Sequence, residues 1–249
     1  KAVRECKKNG KPVIAIKVGK SEIGKKIAMA HTAAIVGSSQ VYDEVFSSEG
    51  IITVDDIDEM LQTVTALAYC PKIEKNGVAI IAISGGQCAI VGDISEKLGL
   101  NLVKFSEKTK NALEEVVPDF INISNPLDVS LVGEEEYRDY ANVLRICLED
   151  ENVGLVGVMQ DAPYGAGLST IEHYSKIAKA VVEVFEETNK PIITFTNHST
   201  PYEPKIMQKL IDSGVPFLQG TKETLLSIKH LIDFYTENNV IDKEKKEHS

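Results

Sequence analysis

Two stretches of this sequence combine residue types that can do chemistry. The first is Met29-Ala30-His31-Thr32-Ala33-Ala34-Ile35-Val36-Gly37-Ser38, where an imidazole stands among small residues. Such a segment, read as a loop between a buried strand and a helix, lets the backbone fold around a bulky anion. A neutral imidazole is a nucleophile near neutral pH and can carry a phosphoryl group covalently, so the chemistry suggested for His31 is phosphoryl transfer. The second stretch is the apolar run Val78-Ala79-Ile80-Ile81-Ala82-Ile83 followed by Ser84, Gly85, Gly86 and Gln87. The run reads as a strand buried on both faces of a parallel sheet. The serine and glycines turn the chain into a helix whose first N–H groups and dipole favour an anion such as phosphate. Each feature also has a plainer reading. A lone histidine is often an ordinary loop residue, and a glycine turn after a first strand often serves sterics alone.

Further polar residues fall where site loops of an α/β sheet lie. Asp128 follows Asn125-Pro126-Leu127, a sequence that either turns the chain or lines a site. Asp161, Tyr164, Gly165 and Gly167 follow a third apolar run, and Asn197 and His198 follow a fourth. His173 and His230 fall within helical patterns and read as packing or surface residues.

Taken in this order, the stretches resemble the nucleotide-diphosphate-forming acyl-CoA synthetases, the superfamily of succinyl-CoA synthetase and the ADP-forming acetyl-CoA synthetases. Lys11-Pro12-Val13-Ile14-Ala15-Ile16-Lys17 followed by Ala30-His31-Thr32 and Gly37-Ser38 is similar to that family's strand and phosphohistidine loop. Val41-Tyr42-Asp43 and Gly50-Ile51-Ile52-Thr53-Val54-Asp55-Asp56 extend the resemblance, which runs from about residue 11 to about residue 236. It implies that His31 is the phosphorylated residue, that Ser84, Gly85, Gly86 and Gln87 bind phosphate, and that Asp128 lies near the phosphate or coenzyme, while Asn125 and Asn197 are read as site-lining from their positions in the chain. It also implies a cytoplasmic, oligomeric acid–CoA ligase that interconverts acyl-CoA, ADP and phosphate with acid, CoA and ATP. CoA, the nucleotide with Mg, phosphate and a small acyl group are then substrates, with no covalently bound cofactor and no resident metal. CoA-binding and ATP-grasp domains or subunits are the implied partners, so this stretch alone is expected to be inactive. Two positions depart from the family pattern. Ala33 and Cys88 stand where relatives commonly have glycine.

Composition fits a soluble α/β protein. The 249 residues are 43% hydrophobic, enough for a sizeable core, and no apolar run reaches membrane-spanning length. A net charge of −10 argues against nucleic acid as main partner, which calls for a basic stripe. The four cysteines, Cys6, Cys70, Cys88 and Cys147, have no metal-ligand spacing and read as thiols of a reducing compartment.

The fold class read from the pattern is α/β: a flavodoxin-like doubly wound parallel sheet preceded by the C-terminal part of a second flavodoxin-like domain. Residues 1–70 form that first part, with strands at 13–18 and 51–54, a helix at 39–48, and a helix capped by Asp55 or Asp56 whose apolar face is Leu61, Val64, Leu67 and Ala68. Two strands are too few to bury a parallel sheet. Residues 71–77 are a linker, and 78–236 a complete domain with strands near 78–83, 101–105, 154–159, 191–196 and 215–218 in order 2-1-3-4-5. Its helices fall near 88–98, 135–148, 170–188, 204–213 and 221–235. The charged tail 237–249 is expected to fray. Competing classes are a ligand-sensing synthetase-like module of a larger protein such as an acyltransferase fusion, and a receiver or flavin-binding domain. The last two fit less well, because the first strand ends in Ser84-Gly85-Gly86 rather than acids and the chain has no tryptophan.

Overall fold

In a computed structural model, residues 1–32, 39–129, 137–200 and 202–247 are described, without the side chains of 32, 39, 137 and 237–247. The expectations about Ala33 and Gly37-Ser38 lie outside these residues.

Apolar strands and amphipathic helices alternate along the chain, and the parallel connections follow from that alternation. The first stretch holds α1 (Ala2–Lys8), β1 (Ile14–Ile16), α2 (Glu22–Thr32), α3 (Ser39–Glu49), β2 (Ile52–Val54) and α4 (Ile57–Tyr69). β1 and β2 form a two-stranded parallel sheet with Ile14 opposite Ile52. The second stretch holds β3 (Val78–Ala82), α5 (Gly85–Leu98), α6 (Glu107–Glu114), β4 (Leu127–Asp128) and α7 (Tyr137–Glu149). It continues with β5 (Leu155–Met159), α8 (Leu168–Glu187), β6 (Ile192–Phe195), α9 (Pro204–Asp212), β7 (Phe217–Leu218) and α10 (Thr221–Glu247). Its five strands are all parallel, in the order β4-β3-β5-β6-β7.

The period-2 alternation of a strand sends neighbouring side chains into two cores. From β3, Ala79 and Ile81 enter the core built with α6, α7, α8 and α9, whereas Val78, Ile80 and Ala82 enter the one built with α4, α5 and α10. Every residue of β3 and β5 is buried. The two strands start close together because Gly77 and Gly154 carry no side chain. A Cβ on Gly77 would run into the Asn152 carbonyl, and one on Gly154 into that of Lys75.

Five sequence expectations are corrected. His31 lies in the last turn of a helix rather than in a loop. Ser21 Oγ accepts from Gly24 N at 3.0 Å, and the helix formers Ala28, Met29 and Ala30 carry the helix forward. The helix α6, capped by Ser106 Oγ accepting from Thr109 N, was not anticipated. The second strand in the order 2-1-3-4-5 is Leu127–Asp128, while the expected strand 101–105 contributes only the bridge of Leu102 to Val78.

On α4, Asp56 caps the helix as expected, but Leu61 and Val64 are exposed, at 57% and 44%. Ala68 is exposed as well. The buried side is Glu59, Thr63 and Ala66, because α4 docks on α10 through polar partners. Thr63 and Ser227 hydroxyls lie 3.3 Å apart, and Glu59 pairs with His230 at 3.1 Å. The backbone of α10 is helical through Glu247, where fraying was expected from 237.

Candidate functional site around the turn into helix α5

The buried strand β3 delivers the chain to Ser84, an extended residue (φ −165°, ψ 136°) at the N-cap of α5 whose side chain makes no capping bond. The helical ladder opens with Cys88 N donating to Ser84 O at 3.0 Å. The N–H groups of Gly85, Gly86 and Gln87 precede that bond and have no acceptor within the helix. Gly85 and Gly86 are exposed, and the first turn of α5 contains no acidic residue. At the other end Gly99 takes the left-handed conformation (φ 63°) that closes the helix, with Lys97 in the last turn where a cation suits the dipole.

Two neighbouring strands bring carboxylates to this turn. Ala82 is registered against Asp128, and the Asp128 Oδ2 atom lies 3.3 Å from where a Cβ on Gly85 would stand. Behind it Asn125 splices the sheet edge: its Nδ2 donates to Val78 O (2.7 Å) and Val103 O (2.9 Å), and its Oδ1 accepts from Ile80 N (3.0 Å). Asn125 therefore fixes β4, and through it Asp128, with its amide committed to the backbone. From the end of β5, Asp161 accepts from Gln87 Nε2 through Oδ2 (2.7 Å) and from Asn197 N through Oδ1 (3.0 Å). His198 Nε2 stands 3.9 Å from Asp161, and its Nδ1 lies 2.5 Å from Thr200 Oγ1.

Asp161 thus ties α5 to the turn after β6. The oxygen of the Gln87 side chain, Oε1, is buried without a partner. A cavity of about 390 Å³ opens beside it, lined by Gln87, Ile90, Met159, Asn197, His198 and Lys222 among others. Thr221 Oγ1 donates to Asn197 O (3.2 Å) and Gly220 N to Thr196 Oγ1 (3.3 Å), which joins the start of α10 to the same edge.

The electrostatics of the turn are mixed. Burial, and secondarily the charge of Asp128, push the Cys88 thiol up to about 11. A helix N-terminus alone acts in the opposite direction.

The structure gathers Ser84, Gly85, Gly86, Gln87, Asp128 and Asn197 at one end of the sheet, with Asn125 behind them. His31 is exposed on α2 and, among the described residues, makes no side-chain hydrogen bond or ion pair. Lys222 was not singled out from the sequence, and Asp161 was noted only for its place after the third apolar run. Their signal is position, since each follows a buried strand within a few residues. A smaller cavity, about 200 Å³, lies among α1, α3, β2 and α10 and contains none of the anticipated site residues. Among the described residues there is no group of three or more His, Cys, Asp or Glu able to hold a metal. No helix among them is long and apolar enough to cross a membrane.

The fold is that of a flavodoxin-like α/β chain, and comparison with known proteins shows it to be of the succinyl-CoA ligase type. The succinyl-CoA ligase like flavodoxin domain family matches residues 1–67. Over 222 residues the chain is 33% identical to the alpha subunit of acetate–CoA ligase [ADP-forming] II of Pyrococcus furiosus, covering 89% of this chain and 47% of that subunit. It is 30% identical over 187 residues to 4-hydroxybutyrate–CoA ligase [ADP-forming] of Nitrosopumilus maritimus, covering 75% of this chain and 26% of that enzyme. A solved acetyl-coenzyme A synthetase from Ca. Korarchaeum cryptofilum, in complex with phosphate and ADP, shares the fold with a TM-score of 0.81 at 20% identity. That likeness covers 98% of this chain and 51% of the other. The chain is homologous to the alpha subunits of ADP-forming acetyl-CoA synthetases, and spans about half or less of the length of the relatives it matches.

Proposed function

We propose that this chain is the alpha-type portion of an acid–CoA ligase (NDP-forming), cytoplasmic and oligomeric, that works with CoA-binding and ATP-grasp segments. The observation that carries this reading is the uncapped N-terminus of α5 at the carboxyl edge of the sheet, where open α/β sheets bind ligands, in a chain homologous to such synthetases. In the proposed cycle phosphate attacks the carbonyl carbon of an acyl-CoA; the C–S bond breaks, releasing CoA and leaving an acyl phosphate. His31 then attacks phosphorus, the P–O bond to the acyl group breaks, and the free acid departs. The phosphohistidine finally passes its phosphoryl group to ADP, with Mg accompanying the nucleotide, to give ATP.

In this scheme the Gly85, Gly86 and Gln87 amides hold the phosphoryl oxygens, and Gln87 is kept in place by Asp161. Positioning and electrostatic stabilisation supply most of the rate in phosphoryl transfer. The exposed His31 alone is accordingly slow, and needs the rest of the enzyme to orient it. In the complete protein, His31→Ala is expected to abolish ADP- and phosphate-dependent cleavage of acyl-CoA, while His173→Ala on α8 retains it. Cleavage at the normal rate in the His31→Ala protein would reduce the likeness to one of fold.

A further inference from the structure

A carboxylate beside an anion-binding helix end is an odd placement, and Asp128 is held there firmly. Leu127 before it is fully buried and Val129 after it donates to Ala82 O at 2.8 Å, while Asn125 locks the approach with three bonds to backbone. The Oδ2 atom consequently reaches the first turn of α5, 3.3 Å from the Cβ position of Gly85. The same charge, after burial, pushes up the thiol of Cys88, one turn into α5. The turn therefore combines donors, the free N–H groups, with one strong acceptor.

Tetrahedral anions differ in what they offer such a pair. Near neutral pH inorganic phosphate keeps at least one proton, so it presents charged oxygens to the N–H groups and a P–OH to a carboxylate. Sulfate has no proton; it can satisfy the N–H groups but meets Asp128 only as a like charge. Hydrogen bonds to ionised acceptors are strong, and an unmatched charge pair is costly.

We propose that Asp128 is a specificity-determining residue, accepting the P–OH of a protonated phosphate at the α5 turn and excluding fully ionised oxyanions such as sulfate. The inference rests on reading that turn as the phosphate site. It commits the site to the hydrogen phosphate ion, and explains how a simple helix N-terminus could avoid a common competitor of the same shape and size.

The test reads the Gly85 and Gly86 backbone amides by NMR while this chain is titrated with phosphate or with sulfate at matched ionic strength. The native chain is expected to bind phosphate at least about tenfold more tightly than sulfate, as a charged hydrogen bond gained against a repulsion requires. In Asp128→Asn, which keeps the side-chain shape, that ratio should fall towards one, mainly through tighter sulfate binding. Asp128→Ser should behave alike, and unfolding curves check that both variants are folded. Equal affinities in the native chain, or an unchanged ratio in both variants, would overturn the role of Asp128 while leaving the turn an anion site. If neither anion moves these amides, the phosphate-site reading fails and the inference falls with it.

Discussion

Several buried or half-buried polar side chains in this protein stand in for backbone. Asn125 completes the edge of β3, Asp161 joins the turn after β6 to α5, and Asp150 organises the start of α6. Asp150 is 1% exposed and accepts from Ser106 N and Asn152 N, both at 2.8 Å. Burial raises its proton affinity, but hydrogen bonds from Thr109, Ser106 and Asn152 outweigh that, and its pKa lies below the ordinary 3.8. With the folded value depressed, the stabilisation is fully present above the unfolded pKa and is lost as pH falls through the folded one. Asp150→Asn should cost about 1–3 kcal/mol at pH 7, the usual range for a broken buried hydrogen-bond set. Urea unfolding should show that difference shrinking as pH falls below about 4, where the unfolded chain takes up the proton before the native carboxylate does. A difference that is the same at pH 7 and pH 3 would contradict a role for the charge. None of these three roles was legible from sequence, where Asn125 and Asp128 looked equally like site residues. A side chain's hydrogen-bond partner depends on which backbone groups the sheet leaves unpaired, which periodicity does not report.

At the scale of elements, the buried strands β3, β5 and β6 were legible because fully buried parallel strands are continuous apolar runs, and α5 and α9 because they begin within a few residues of a strand or at a proline. The helix α2 was hidden by the reading of its small residues as a loop. The exposed Leu61 and Val64 on α4 misled for another reason. An apolar face shows where burial would be favourable, while the seam formed with α10 by Glu59–His230 and Thr63–Ser227 decided which side was covered. The same contrast separates the sheets. β1 and β2 are three residues each and mostly half-buried, whereas β3 and β5 are wholly buried within five strands. Hydrogen exchange of this chain should therefore show the amides of 14–16 and 52–54 exchanging well before those of 78–82 and 155–159. Equal protection of the two sheets would mean that the first one is stabilised by contacts not accounted for.

Across the whole molecule, the proposed cycle divides labour between a rigid edge and an exposed histidine. The five-stranded sheet fixes the α5 turn, its carboxylate neighbour Asp128 and the cavity beside Gln87, while His31 stands on a helix of the first stretch with its ring exposed. With a net charge of −10, the anion binding proposed for the α5 turn falls to local backbone donors rather than to the overall field. The most direct test of the phosphohistidine claim is to incubate the complete protein with labelled ATP and Mg and to map the incorporated phosphate by peptide mass spectrometry. The account predicts acid-labile, base-stable label on the peptide that contains His31, lost in His31→Ala. Stable label on another residue, or an active enzyme that never carries label at His31, would contradict it.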